Sequence, residues 1–221
     1  MSNIQTAALY DLSRTLAGKY LKNTLYPHEA LGHIGDWILE IGAELDMQHF
    51  DCPAPHVWIA KSATVAPSAS ITGPCIIDED TEVRHGAFIR GNALIGKRCV
   101  VGNATELKNV ILFDGVQVPH YNYVGDSILG YKAHMGAGAI TSNVKGDHTL
   151  VVIKNGAQRL PTGRKKVGAM LGDFAEIGCG CVLNPGTVVG KRTQVYPLIS
   201  VRGVIPADSI CKDAGRIVRR K

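Results

Sequence analysis

Two stretches of the 221-residue chain carry side chains that could do chemistry. The first, Lys108 to Asp126, contains His120, and histidine is the side chain whose ordinary pKa suits proton transfer near neutral pH. The second stretch, 143–166, sets one acid, Asp147, against six basic residues: Lys145, Lys154, Arg159, Arg164, Lys165 and Lys166. So basic a stretch suits a phosphate-rich ligand, and it equally suits a loop that is merely solvated.

A repeat of six residues must position these stretches. From Ile59 to Leu107 every sixth residue is aliphatic, and the residue two places before each is nearly always small. The pattern returns from Leu171 to Val201. A period of six fits neither an α-helix nor a simple alternating strand, and it is typical of a parallel β-helix of hexapeptide repeats. Each repeat supplies one short strand and one tight corner, and three repeats close a triangular coil.

The repeat is interrupted at the two stretches already named. Its phase slips once between Phe113 and Leu129, and it stops again across 143–166. A β-helix accommodates insertions at its corners, where loops commonly carry function. Three of the six cysteines, Cys75, Cys99 and Cys181, fall on small corner positions, and the cysteine spacings predict neither a zinc ribbon nor a disulfide framework.

The two ends of the chain lack the repeat. Residues 1–50 carry apolar residues at helical spacing on both sides of Pro27, which predicts two amphipathic helices that form a cap over the first coil. Cys52–Pro55 is then the hinge into the β-helix, which we place at 51–205 with an inserted loop at about 143–166. Residues 206–221 form a basic tail.

The composition limits the class of protein. Hydrophobic residues make up 45% of the chain and charged residues 19%, so a core can form. The net charge of +5 is too small to indicate a nucleic-acid partner, although it favours an anionic small molecule. Apolar stretches fall short of the roughly 20 residues of a membrane span, and the first residues do not resemble a signal peptide. We therefore expect a cytoplasmic protein.

Four segments resemble one family of enzymes. Ile89–Asn92, Thr105–Asn109, His120–Gly130 and Met135–Asn143 together resemble the acetyltransferase half of the bifunctional enzyme that makes UDP-N-acetylglucosamine. The β-helix of related sugar-1-phosphate nucleotidylyltransferases is similar. The resemblance covers roughly 57–205 and implies a mainly β protein, a left-handed parallel β-helix. It does not extend to the uridylyltransferase half, because that half's Gly-rich loop is absent and the residues before the repeat are too few to hold it.

The resemblance implies roles for individual residues. An amine must lose a proton as it attacks the thioester of acetyl-CoA, the implied co-substrate, and His120 is the implied general base with Glu106 beside it. Arg90 and Lys108 match the family's phosphate-binding cations. The other residues implied to bind the sugar are Tyr123, His134 and Asn143. Those implied to bind coenzyme A are Ala137, Cys179, Arg164, Lys165 and Lys166.

The resemblance also implies a homotrimer with sites in the grooves between neighbouring subunits. The basic segment Arg216–Lys221 resembles the family's C-terminal arm, which reaches the coenzyme of an adjacent subunit. Two positions depart from the family pattern: His134 stands where the family has an asparagine, and Val144 stands where an aromatic residue follows the matched asparagine. These departures leave the identity of the acceptor sugar open.

We therefore predict an acetyl-CoA-dependent N-acetyltransferase that acts on an amino-sugar phosphate such as glucosamine-1-phosphate, in nucleotide-sugar biosynthesis. The alternative is a non-catalytic β-helix that binds a nucleotide sugar or holds a trimer together. A more remote one is a metal site, since Ile89–Asn92 resembles the Arg-Gly-Asp of γ-class carbonic anhydrases. That site needs three histidine ligands, and His85, His120 and His134 lack the family's spacing, so we expect no metal.

Overall fold

The computed structural model describes residues 1–213 and 215–220, and its main body is a parallel β-helix with three faces. The first face stacks Val57–Ala60, Cys75–Ile77, Ala93–Ile95, the second halves of Glu106–Leu112 and Tyr123–Leu129, then Ala169–Leu171, Thr187–Val189 and Val204–Ile205. The second face stacks Thr64–Val65, Glu82–Val83, Val100–Asn103, Gln117–His120, His134–Met135, Glu176–Ile177, Gln194–Val195 and Ser209–Asp213. The third face stacks Ser70–Ile71, Phe88–Ile89, the first halves of Glu106–Leu112 and Tyr123–Leu129, then Ile140–Thr141, Val182–Leu183 and Ser200–Val201. The predicted β-helix is confirmed.

Two consecutive coils are one residue shorter than the hexapeptide rule requires. Leu112 pairs with Ile95 and Leu129 pairs with Leu112, whereas regular coils pair residues eighteen apart, as Cys75 with Ala93. The predicted single slip between Phe113 and Leu129 was therefore wrong, because one residue is lost in each coil. Both losses fall at the corner between the third and first faces.

Residues before the β-helix form short helices. The α-helices are Thr6–Leu9, Gly18–Leu21 and Ile34–Glu44, and the 3₁₀-helices are Ser2–Ile4, Leu12–Arg14 and Pro27–Gly32. The first of the two predicted helices is thus broken into pieces. The β-helix binds its backbone instead, since the N–H of Asp114 donates to Arg14 O at 3.0 Å and that of Asp173 donates to Leu9 O at 3.0 Å.

This helical segment lies along the outside of the first face, which corrects our expectation of a cap over the first coil. Helix Ile34–Glu44 contacts the strands that carry Ile76 and Leu94. These two side chains point outward, yet they are only 0% and 2% exposed, whereas the inward Ile59 of the first coil stays half-buried. Covering a row of outward aliphatic side chains stabilises the fold by about 1.5–3 kcal/mol for each side chain.

Antiparallel strands pair with the outermost strands of two faces. Phe50–Ala54 pairs with Val57–Ala60, so the predicted hinge belongs to a hairpin. Arg216–Arg219 pairs with Ser209–Asp213, so most of the predicted basic tail forms two paired strands, and Ala214 and Lys221 lie outside the described residues. Both added strands cover a sheet edge that would otherwise be open.

The insertion and the cysteines complete the fold. Within the predicted loop, Val152–Asn155 and Gln158–Pro161 form a hairpin. All six cysteines are free, and those expected at corners are buried. Burial raises the pKa of the Cys75 and Cys99 thiols to about 12, so both remain unreactive at neutral pH.

Among the described helices, none has the length and apolar character needed to span a membrane.

Candidate active site

His120 lies at the corner between the second and third faces. The N–H of Gly138 donates to His120 O at 3.0 Å, and the N–H of Gly180 donates to Ala137 O at 2.8 Å. These bonds stack His120, Ala137 and Cys179 on consecutive coils. The predicted base and two of the residues predicted to bind the coenzyme therefore share one column along this corner.

The imidazole of His120 is free to meet a ligand. The side chain is exposed, and within the described part of the chain it makes neither a hydrogen bond nor an ion pair. Its backbone is held firmly, because the N–H of His120 donates to Oδ1 of the buried Asn122 at 3.1 Å. The amide nitrogen of Asn122 donates in turn to Gly136 O at 2.8 Å and Ala139 O at 3.0 Å. Asn122 thus fixes two successive corners, a role that the sequence alone did not predict.

The third face begins directly after this corner and carries the predicted Arg90 and Glu106. Arg90 Nη1 lies 2.7 Å from Glu106 Oε1. Glu106 is also the register partner of Tyr123 on the next coil. The Glu106 carboxylate therefore bonds to Arg90 in this structure, and its predicted place beside His120 remains a prediction.

Asp126 joins the other predicted residues of this face. Its Oδ2 accepts from Asn143 Nδ2 at 2.6 Å and lies 3.4 Å from Lys108 Nζ, and its Oδ1 accepts from Asn109 Nδ2 at 2.9 Å. Asn143 Nδ2 also lies 3.2 Å from the hydroxyl oxygen of Tyr123. The Asp126 side chain is 7% exposed, so this carboxylate is buried and satisfied by three donors. We call Lys108, Asn109, Tyr123, Asp126 and Asn143 the Asp126 network.

The shortened coils explain why this network forms. Asn109 and Asp126 occupy the two shortened corners, where their φ angles are 54° and 48°. Asparagine and aspartate tolerate this left-handed conformation better than most residues do. Both residues lie inside the family motifs, but the sequence alone does not reveal their joint role, because the pairing of their corners depends on the register.

Tyr123 keeps its hydroxyl proton at neutral pH. Partial burial raises the pKa of Tyr123, and the hydrogen bond from Asn143 opposes that rise. Since Asn143 donates to the phenolic oxygen, the O–H of Tyr123 remains available to donate to a ligand.

Two predicted residues lie away from this group. His134 is on the second face, where its Nδ1 lies 2.9 Å from Glu176 Oε2. The guanidinium of Arg164 lies against Gly32 of the helical segment. Lys165 and Lys166 are exposed. The structure therefore does not gather His134 and Arg164 with the Asp126 network.

Within residues 1–213 and 215–220, no three side chains of His, Cys, Asp or Glu are grouped so as to hold a metal ion. His85, one of the three histidines weighed for such a site, has its Nδ1 2.7 Å from Ser68 Oγ.

Known proteins resemble this chain over the β-helix. Residues 71–156 match the family model of the GMPPB C-terminal domain. The chain is 29% identical over 159 residues to the bifunctional sugar-1-phosphate nucleotidylyltransferase/acetyltransferase of Sulfurisphaera tokodaii, covering 64% of this chain and 40% of that protein. It is 33% identical over 152 residues to the bifunctional protein GlmU of Methanococcus maripaludis, covering 61% of this chain and 37% of that protein. The chain thus spans about two fifths of the length of these relatives.

One solved structure that the chain is similar to is the acetyltransferase domain of PglB from Neisseria gonorrhoeae, in complex with acetyl coenzyme A. It is 20% identical, with a TM-score of 0.39, and the match covers 81% of this chain and 63% of that one. The sequence matches to the bifunctional proteins confirm the resemblance that the motifs indicated.

Proposed function

We propose that this chain is an acyltransferase that moves the acetyl group of acetyl-CoA to the amine of an amino-sugar phosphate such as glucosamine-1-phosphate. The names of the bifunctional relatives support sugar-phosphate acetylation in general. One observation carries the proposal. His120 is an exposed imidazole without a partner among the described residues. It lies at the corner that leads directly to Tyr123, a member of the Asp126 network. Ala137 and Cys179 occupy the same corner on the next two coils.

The proposed reaction needs one proton acceptor. The amine nitrogen attacks the thioester carbonyl carbon, a carbon–nitrogen bond forms, and the carbon–sulfur bond breaks. The amine proton passes to the His120 imidazole, and coenzyme A leaves as a thiolate that takes up this proton from the imidazolium and becomes a thiol. General-base help of this kind contributes about 10²–10⁴-fold to a rate.

The acceptor's phosphate and sugar find partners on the third face. Arg90 and Lys108 are held by Glu106 and Asp126 in the free chain. A phosphate dianion competes for both cations, because it offers more charge and more acceptor oxygens than a carboxylate. The O–H of Tyr123 then donates to a sugar hydroxyl.

The proposal includes a homotrimer that completes the site. The corner that carries His120 also carries Tyr121 and Leu198, which are 62% and 84% exposed. Large apolar side chains with so much exposed surface suit contact with another copy of the chain. In such a trimer, three β-helices pack around a common axis and enclose this corner in the groove between neighbouring subunits. This enclosure removes water from the reacting amine.

A panel assay tests the proposal. Purified protein is incubated with acetyl-CoA and with free amino sugars, their 1-phosphates and their 6-phosphates, while thiol release and acceptor mass are followed. We expect an acetyl mass gain on an amino-sugar phosphate, with a smaller rate for the corresponding free sugar. If no member of the panel is acetylated by a folded protein, the proposal fails and the non-catalytic alternative takes its place.

A further inference from the structure

A cavity of about 400 Å³ lies between the hairpin of the insertion and the last coils of the β-helix. Its size falls within the range of small-molecule sites. Four cations line it, namely Lys145, Lys154, Arg159 and Arg202. Arg202 comes from the end of the third face, 36 residues beyond the insertion, so its sequence position does not connect it with the other three.

The charge of this cavity is largely uncompensated. Lys145 Nζ lies 3.2 Å from Asp147 Oδ2. For Lys154, Arg159 and Arg202, the described residues supply no carboxylate within ion-pair distance. Arg202 Nη2 donates to Asn184 Oδ1 at 3.0 Å, which fixes the guanidinium through a neutral partner. Like charges held together repel one another, and a bound anion with several negative charges relieves that repulsion.

The hairpin is seated firmly enough to form a wall. A side chain at Gly186 would collide with Val151, and one at Gly203 would collide with the carbonyl oxygen of Lys154. Both glycines have positive φ, at 77° and 79°. Glycine at these two corners therefore lets the hairpin lie against the coils and holds the backbone of Lys154 in place.

The cavity opens toward the candidate active site. An adjoining depression of about 320 Å³ shares Lys145 and Arg202 with the cavity and extends to Ser142, the neighbour of Asn143. Ser142, Asn184 and Arg202 occupy equivalent positions on consecutive coils. Two coil spacings, roughly 10 Å, thus separate Ser142 from Arg202.

We propose that this cavity binds the phosphate groups of a nucleotide, which on the function proposed above is coenzyme A. Guanidinium groups match phosphate oxygens in geometry, and two arginines with an unpaired lysine provide enough donors for more than one phosphate. The nucleotide end of the donor is anchored here, and its arm runs along the depression past Asn143 and across the third face to the corner of His120, Ala137 and Cys179. A nucleotide sugar has the same phosphate chemistry, so the experiment must separate the two sources.

Titration calorimetry on the full chain tests this site without any turnover. The probes are inorganic pyrophosphate, coenzyme A, 3′-dephospho-coenzyme A and UDP-N-acetylglucosamine. Arg202→Gln and Lys154→Gln are each expected to weaken binding of pyrophosphate and coenzyme A about tenfold. Lys22→Gln removes an exposed cation far from the cavity and is the matched control, with unchanged affinities expected.

The outcomes separate this inference from the proposed function. Weaker pyrophosphate binding in both cavity variants supports the site, even when no acceptor is acetylated. If the variants weaken UDP-N-acetylglucosamine and leave coenzyme A unchanged, the nucleotide site stands and its assignment to the donor is overturned. If Arg202→Gln and Lys154→Gln bind all four probes as the native chain does, the site itself is overturned.

Discussion

The carboxylate of Asp126 lies 2.6 Å from the amide nitrogen of Asn143, although seventeen positions separate the two residues in the chain. Both oxygens of Asp126 accept hydrogen bonds, from Asn143, Lys108 and Asn109. Since every partner is a donor, both side-chain atoms at the end of residue 126 have to be hydrogen-bond acceptors. Asp126 is therefore a positioning residue for Lys108 and Asn143.

Replacing Asp126 with Asn tests this role. The amide NH₂ group has to face one of the donors, which leaves buried groups unsatisfied, so we expect the free energy of unfolding to fall by about 2–3 kcal/mol. The KM for the sugar phosphate is expected to rise as Lys108 and Asn143 lose their fixed positions. Asp80, which is exposed and has a positive φ as Asp126 does, supplies the control: Asp80→Asn should leave both quantities nearly unchanged. Equal effects of the two substitutions would remove Asp126 from the account.

His28 makes stability depend on pH. It is 4% exposed, and its Nδ1 has no hydrogen-bond partner within the described residues. Burial lowers the pKa of His28 below 6.5, Glu29 opposes this, and Arg164 adds to the lowering. The unfolded chain therefore binds this proton at a higher pH than the folded chain does. The contribution of His28 is complete above pH 6.5 and is lost as the pH falls toward the folded-state pKa.

Urea denaturation at pH values of about 7.5 and 5.5 measures this effect. The free energy of unfolding of the native chain should fall more between these conditions than that of a His28→Leu variant, which cannot titrate at this position. The other titrating groups are the same in both proteins, so the difference between the two losses of unfolding free energy reports on His28 alone. Parallel losses in the two proteins would show that His28 is not responsible.

The outward row of the first face should behave as core. Leu94→Ala is expected to reduce the free energy of unfolding by about 2–4 kcal/mol, because helix Ile34–Glu44 covers this side chain and a cavity remains. Val100→Ala is the matched control: Val100 points outward on the second face, is half-buried, and should cost less than about 1 kcal/mol. Similar costs at the two positions would mean that the helical segment adds little to the core.

The inward side of the β-helix was predictable because its spacing is local. Every hexapeptide repeats the same small and large positions, so the sequence alone shows the coil. We did not predict that the helical segment covers the first face, although the sequence carries a signal for it. The outward residues Ile76, Leu94 and Ile128 of this face are apolar, whereas the outward Glu82 and Gln117 of the second face are polar. The hexapeptide repeat is defined by every sixth residue, which points inward, so the repeat itself does not reveal the apolar outward row.

The candidate site was predictable only in part. The motifs indicated His120, Tyr123 and Asn143 individually, and their places follow from the coil. The role of Asp126 depends on two coils that each lose a residue at the same corner, and this register has no local signature. Arg202 could not be assigned to the cavity from the sequence, because only the folding of the insertion brings the other cations close to it.

Deleting residues 216–221 should have two effects. The strand Arg216–Arg219 covers the edge of Ser209–Asp213, so its loss exposes unpaired backbone groups and promotes self-association, measurable by size exclusion with light scattering. We also expect the apparent KM for acetyl-CoA to rise if this segment reaches the coenzyme of a neighbour. A variant with Arg216 and Arg219 changed to Gln keeps the strand and separates the two effects. A truncated chain of unchanged size and KM would contradict both expectations.

The most direct measurement is the acetylation rate of His120→Ala, compared with that of the native chain on the preferred amino-sugar phosphate. The imidazole is exposed and unpartnered in the described structure, so the substitution should leave the Tm unchanged while kcat falls by about 100-fold or more. Coenzyme A binding by calorimetry should stay the same. An unaltered kcat in a folded variant would contradict the account, because the proton of the amine would then leave by a route that does not involve His120.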